Sequence, residues 1–385
     1  MCIYIVVDIV MAFFVYVTYK SSVKNKNMVL YISAVLWILV FGLRGYFVGN
    51  DTPGYAQYFS GRSMLPIFSY GTLDDPEKTL EEGFLLITRF LGFFSSSPTF
   101  LFLIHATFFF TVWILYLKKV NPQNALWCML LFFVLGTGQI IVMMVALRQS
   151  LSICFLLLGV YMFLNIQEKR SNYTSKWPIV RLLVLSISVM LFSISVHRTS
   201  ILVFPVIILL LYVHIPQKVA YCSIIISAFI SIFIPETFGL IFDFVLSNIT
   251  AISNEKVALL GERYAEGFDD SNVGRWLALA SRPAISLIMV YFMDKKQLTS
   301  LPYKCLVVAT VMSSILVKST MMERLVIVFQ LLGAGAYVPN KVKTNSRAVI
   351  LIFVITLLYL FNSYRIFENW DVRADSTLPY KFVWE

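Results

Sequence analysis

Long apolar runs, repeated along almost the whole chain, restrict this sequence more than any other feature. A bilayer-spanning helix needs roughly 17–25 mostly apolar residues, somewhat fewer where flanking side chains snorkel. Twelve stretches satisfy this: about 3–19, 28–46, 98–117, 124–143, 147–165, 179–196, 199–214, 219–235, 276–293, 303–319, 325–338 and 347–363. The run 83–95 is too short to span and carries Arg89, so it reads as a re-entrant or interfacial helix. No stretch shows the strict alternation of a strand or a membrane barrel. The expected fold class is therefore all-α: a polytopic integral membrane protein with about twelve transmembrane helices. It forms a single domain over residues 1–385, with two longer loops on the outer face at about 47–97 and 236–275. Within the second loop, residues 237–248 read as an amphipathic lid helix.

Composition excludes the other broad classes. Hydrophobic residues make up 59% of the chain and charged residues only 14%, against about 45–50% and about 25% in soluble domains. A soluble enzyme, a disordered chain and a small secreted domain are all incompatible with that balance. The cysteines Cys2, Cys128, Cys154, Cys222 and Cys305 lie in or beside apolar segments, without metal-ligand spacing. Neither a disulfide framework nor a zinc site is expected.

Charge placement sets the orientation. The first apolar stretch lacks a basic leader and a small-residue cleavage site, and Lys20, Lys24 and Lys26 follow it. It reads as an uncleaved anchor with its N-terminus outside. Threading twelve spans from there puts 16 basic residues in the cytoplasm, 13 of them lysine, in clusters such as Lys118/Lys119 and Lys295/Lys296/Lys304. Of the 15 basic residues left outside, 11 are arginine. Solvated lysines satisfy the insertion rule. Outward arginines do nothing for topology and are suited to holding phosphate or carboxylate with a planar fork. The net charge of +10 thus points to membrane orientation and an anionic ligand on the outer face, with no role for nucleic acid.

The densest motif is Arg44-Gly45-Tyr46-Phe47-Val48-Gly49-Asn50-Asp51-Thr52-Pro53-Gly54-Tyr55. Arg44 ends a span, Gly49 allows a turn, and Asp51-Thr52-Pro53 is a helix start with an Asp cap. An arginine beside a helix N-terminus suits an anion; a snorkelling arginine beside a capped loop is the structural alternative. Arg148-Gln149 stands alone between two apolar runs, as a hairpin tip or an embedded arginine. His197-Arg198-Thr199-Ser200 forms another short outer hairpin, where a histidine can accept a proton or bind phosphate. Glu262-Arg263-Tyr264 lies in the second long loop, Arg282-Pro283 enters the following span, and Glu323-Arg324 caps the outer end of a later helix pair. Asp8 sits inside the first span, as a partner for one of the arginines or as a protonated passenger. Nucleotide-binding and metal-dependent transferase motifs are absent from the sequence, so neither ATP nor a metal is expected.

Arg44 followed by Gly49-Asn50-Asp51-Thr52-Pro53-Gly54-Tyr55 resembles the EpsG family, a Wzy-type group of polysaccharide polymerases. The Arg148-Gln149 pair, the His197-Arg-Thr-Ser hairpin and Glu323-Arg324-Leu325 are similar to that pattern as a set and in order. The resemblance implies a glycosyltransferase of the bacterial cytoplasmic membrane, active on its outer face, that joins undecaprenyl-pyrophosphate-linked oligosaccharide repeat units in O-antigen, capsule or related polysaccharide synthesis. It implies no cofactor and no metal, and as partners the bilayer, a chain-length regulator and a flippase. On this reading Asp51, His197 and Glu262 are the candidate bases. The substrate-binding set is Arg44, Thr52, Tyr55, Arg148, Gln149, Arg198, Arg263, Arg282 and Arg324, with Arg44, Arg148, Arg282 and Arg324 on the pyrophosphate. A flippase for the same lipid-linked glycan, or a glycan ligase, is the alternative.

Overall fold

A computed structural model describes residues 2–18, 21–46, 48–49, 51–62, 80–135, 143–169, 176–233, 273–315, 320–338 and 382. Among these residues the regular structure is helical, apart from an isolated bridge between Arg44 and Phe382. The all-α expectation holds. The helices are α1 (Cys2–Thr18), α2 (Val23–Gly42), α3 (Thr52–Arg62), α4 (Glu82–Gly92), α5 (Pro98–Val120), α6 (Ala125–Leu135), α7 (Leu147–Lys169), α8 (Lys176–Val196), α9 (Ser200–Tyr212), α10 (Gln217–Phe233), α11 (Val273–Phe292), α12 (Leu301–Ile315) and α13 (Thr320–Gly333).

The span count of twelve is only partly supported. Among the described residues, four helices are long and apolar enough to cross a bilayer: Val23–Gly42, Pro98–Val120, Leu147–Glu168 and Trp177–Val196. Six shorter apolar segments, in α1 and α9–α13, coincide with further expected spans. The expected span 347–363, the lid 237–248 and the second half of 124–143 lie largely outside the described residues. The chain divides into two compact units, Met1–Ile208 with Tyr359–Glu385, and Leu209–Leu358, the boundary falling within α9.

In the first unit α5 is packed by α2, α3, α6 and α7, and α7 lies along α8. Lipid tails are as apolar as the helices, so packing here depends on close approach and on polar bonds between helices. Small residues supply both. Ser186 Oγ donates to the Gly159 carbonyl at 2.8 Å, and Ser152 Oγ to the Ser193 carbonyl at 2.8 Å. These two bonds fix one antiparallel register of α7 on α8. Carried one turn further, the same register sets Arg148 level with His197. Beneath α2, Trp37 stacks on Phe133 with centroids 4.2 Å apart, and Phe41, Phe110 and Trp113 complete the buried aromatic layer. Asp8 is buried on α1, and its Oδ1 accepts no hydrogen bond among the described residues.

The ends of these antiparallel helices differ in chemistry. One carries Lys24, Lys26, Lys118 and Lys119, with Lys119 paired to Glu168 and Lys118 bonded to the Tyr31 hydroxyl at 2.6 Å. The other carries Arg44, Tyr55, Glu81, Arg148 and His197. The expected interfacial helix over 83–95 is α4, eleven residues long, about 16 Å at 1.5 Å per residue and too short for a bilayer core of about 30 Å. It buries Phe84 and Arg89 and exposes Phe90, with Phe93 and Phe94 exposed just past its end.

In the second unit α12 packs on α10, α11 and α13. Here one lysine departs from expectation. Lys295 and Lys296 are solvated, but Lys304, grouped with them as a topology signal, is buried. Its ammonium donates to the Leu210 carbonyl at 2.6 Å. Leu210 lies in the last turn of α9, where carbonyls lack an intrahelical partner, so Lys304 caps a neighbouring helix. Cys222 also departs from the burial expected of the thiols: it is exposed, whereas Cys128, Cys154 and Cys305 are buried.

Candidate functional site

The candidate site lies at the lysine-poor end of the first unit, and its scaffold starts at Gly49. This residue has φ +97°, a conformation open to glycine but strained for side chains with a Cβ. The turn it makes lets Thr52 N–H reach the Gly49 carbonyl and Tyr55 N–H the Asp51 carbonyl, at 3.1 and 3.2 Å. The expected turn at Gly49 and helix start at Asp51-Thr52-Pro53 are therefore present. Thr52 is buried, with its hydroxyl donated to the Val48 carbonyl at 2.7 Å. Asp51 is exposed.

Helix α3 then carries Tyr55 into a cluster with Ala56, Phe59, Phe84, Leu101, Phe102, Leu147, Leu151 and Val196. This apolar layer forms the floor of a polar group. Arg148, in the first turn of α7, donates from Nε to the Tyr55 hydroxyl at 3.2 Å and from Nη1 to Glu81 Oε2 at 2.7 Å. His197 Nδ1 lies 2.9 Å from the other Glu81 oxygen, and the Arg198 N–H reaches that oxygen at 3.5 Å. The carboxylate at the start of α4 thus joins α7 to the turn between α8 and α9. An ionised carboxylate only accepts hydrogen bonds, so the Nδ1 nitrogen carries the proton and Nε2 is left for another partner.

Glu81 has no place among the residues expected from the sequence. It occupies the N-cap position of α4 without making a side-chain cap bond. In sequence, Glu81-Glu82 before an apolar run looks like acidic residues on a helix dipole. The only local hint is that an acid stands where an interfacial helix begins. Burial alone would push its carboxyl up, but the His197 hydrogen bond and the charges of Arg148 and His197 outweigh that and hold it at about 2, down from 4.5. The Tyr55 hydroxyl is pushed up by burial, with Arg148 opposing, and remains protonated at neutral pH.

The sign for stability follows from that depressed value. Ionised Glu81 stabilises the fold fully above about pH 4.5, and the contribution is lost as pH falls towards 2. In acid unfolding, wild type is expected to exceed Glu81→Gln in stability at about pH 5. That margin should close between pH 4.5 and 2; a margin unchanged down to pH 2 contradicts the ion-pair assignment.

Gly83 makes the meeting possible. A Cβ there would stand 2.7 Å from the Ser195 carbonyl carbon and 2.8 Å from its oxygen, so α4 rests directly on the backbone at the end of α8. Gly83→Ala is expected to cost about 1–3 kcal/mol through overpacking and to lift Glu81 from His197. Gly54→Ala is the matched control, because nothing lies within 4 Å of its would-be Cβ and alanine is the better helix former by roughly 0.5–1 kcal/mol. Thermal unfolding in detergent compares the two; equal melting temperatures would contradict the close contact.

The other expected site residues are distributed as follows. Gln149 is buried beside Arg148. Arg198 is exposed. Arg44 is fully buried, its guanidinium 4.1 Å above the Phe102 ring and bonded to the Phe41 carbonyl. It lies near His105, whose Nε2 meets Ser150 Oγ at 2.8 Å. Arg44 therefore packs beneath the polar group. Arg282, half-buried on α11, and Arg324, on α13, belong to the second unit. Glu262 and Arg263 lie outside the described residues.

These features define an all-helical membrane protein with a half-buried arginine–glutamate–histidine constellation at one end of its longest helices. The sequence profile of the EpsG family matches residues 27–382, most of the chain, and the protein belongs to the EpsG family. No curated protein and no solved structure matches it. Membership is consistent with a glycosyltransferase-type polysaccharide polymerase.

Proposed function

We propose that the protein is a polysaccharide polymerase that joins undecaprenyl-pyrophosphate-linked oligosaccharide repeat units on the outer face of the bacterial cytoplasmic membrane. The observation that carries this reading is the meeting of Arg148 and His197 at the end opposite the lysines. Lysine clusters mark the cytoplasmic side of membrane proteins, which supports an outer-face location for the constellation. A cation fork beside a histidine at a membrane boundary suits a reaction in which a lipid pyrophosphate departs and a sugar hydroxyl attacks.

In this mechanism Arg148, with Arg198 beside it, holds the pyrophosphate and stabilises charge developing on the leaving oxygen. His197 takes the proton of the acceptor hydroxyl through Nε2. The hydroxyl oxygen bonds to the anomeric carbon, the bond from that carbon to the phosphate oxygen breaks, and its electron pair leaves with polyprenyl pyrophosphate. Guanidinium charge meets the electrostatic need, and the leaving group carries its own activation, so no ATP enters. One such displacement inverts the anomeric configuration; a product of retained configuration would sink the one-step scheme. His197 is preferred over Asp51 as base because it is oriented by a fixed partner, whereas Asp51 is exposed.

The test is the size distribution of surface glycan on a gel, in cells with and without the gene. Loss of the ladder with a single repeat unit still displayed supports a polymerase. Loss of every repeat would move the assignment to a flippase or ligase, and an unchanged ladder would refute the substrate.

A further inference from the structure

We propose that Glu81 is a positioning residue: it holds the His197 imidazole in the Nδ1–H tautomer with Nε2 presented to the acceptor, and it fixes Arg148 in the same grip. The assignment of a reaction to this positioning rests on the polymerase reading above; the tautomer itself does not.

The geometry carries the argument. Glu81 uses each carboxylate oxygen for a different element, Oε2 on Arg148 of α7 and Oε1 on His197 at the end of α8. Its side chain is 10% exposed and that of His197 15%, so water competes weakly for either bond. Imidazole free in water prefers no single fixed orientation, and a ring whose one nitrogen is tied to a carboxylate has both tautomer and direction set. With Nδ1–H committed to Glu81, the proton of an acceptor hydroxyl has one destination, Nε2. The imidazolium that forms then faces an ionised carboxylate, and its proton is afterwards released to solvent. Glu81 itself stays ionised throughout. The Arg148 Nη1 bond to the same carboxylate keeps the cation at the level of the histidine, so base and anion holder keep a constant spacing.

The titratable side chains bonded to Glu81 are Arg148 from α7 and His197 from the turn between α8 and α9, where the Arg198 backbone N–H also reaches it; Tyr55 of α3 meets Arg148 in turn. An opposite role is conceivable on the same contacts: a carboxylate held by an arginine, an imidazole and a backbone N–H occupies the place of a phosphate. Removing Glu81 would then strengthen donor binding and raise turnover. The two roles predict opposite results.

The chain has three histidines, His105, His197 and His214, so full-length protein labelled with 15N-histidine in lipid nanodiscs gives a countable spectrum. A His197→Gln spectrum identifies the signal. Above the imidazole titration range, wild-type His197 is expected as the Nδ1–H tautomer, and Glu81→Gln is expected to shift it towards Nε2–H. Turnover is measured in parallel on lipid-linked repeat units extracted from cells lacking the gene. Glu81→Gln should lower kcat on the order of 10²–10⁴-fold, as for a base left in the wrong tautomer, with donor KM changed far less. Glu81→Asp should recover part of the loss, and melting temperature reports whether each variant folds. A wild-type Nε2–H signal overturns the proposal. So does a tautomer shift with unchanged turnover, or a rise in donor affinity and rate in Glu81→Gln. If wild type itself fails to elongate the units, the polymerase reading falls, and the spectra still decide whether Glu81 sets the tautomer.

Discussion

An Arg148→Ala chain is expected to lose glycan polymerisation by about 10²–10³-fold, the usual cost of removing one preorganised charge-stabilising donor. The geometry makes the loss large for two reasons. The guanidinium is the cation held in the constellation by both Tyr55 and Glu81. Its removal also leaves the Glu81 carboxylate, only 10% exposed, without its strongest counter-charge. Arg148→Lys keeps the charge but loses the fork that serves two acceptors at once, and should fall between wild type and alanine. The glycan ladder in complemented deletion cells gives the first reading, and initial rates on extracted lipid-linked units give the fold-change. Membrane abundance of each variant is measured alongside. A full ladder from well-expressed Arg148→Ala would remove Arg148 from the pyrophosphate.

The second large effect concerns the base. His197→Ala is expected to lower turnover by about 10²–10⁴-fold, the range for a positioned general base. Donor KM should change little, because the imidazole acts on the acceptor proton. Asp51→Asn should keep most of the activity, since Asp51 is exposed and contributes its backbone carbonyl to the start of α3. The limb of the pH–rate profile that reports the base should vanish in His197→Ala, and added imidazole should restore part of the rate. Loss of activity in Asp51→Asn with retention in His197→Ala would transfer the role to Asp51.

Arg44 and Arg148 show what the sequence leaves open about the candidate site. Both read in sequence as anion holders, since both are lone arginines at helix ends. Arg44 lies past the end of α2 above Phe102 and is fully buried, whereas Arg148 opens α7 beside the polar group. Local sequence is nearly the same in kind for the two. What differs is the neighbour each meets: Phe102 of α5 for Arg44, and Tyr55 and Glu81 for Arg148.

Much of the protein follows from sequence alone, because membrane physics acts on local patterns. Apolar runs state that the chain is helical and membrane-bound, lysine clusters separate the two ends of the helices, and Gly49 before Asp51-Thr52-Pro53 announces a turn and a helix start. Tyr55, Arg148 and His197 stand out as polar side chains at the edges of apolar spans. Tertiary structure alone decided the rest. Glu81 reads in sequence as an acid at a helix start, and Lys304 as one more topology lysine. Their partners lie far along the chain, and the contacts exist only because of packing. The Ser152–Ser193 and Ser186–Gly159 bonds set α7 against α8 in one register, and Gly83 lets α4 close onto Ser195. A carboxylate becomes the hub of a site when three helices deliver their ends to it, and no local pattern encodes that meeting.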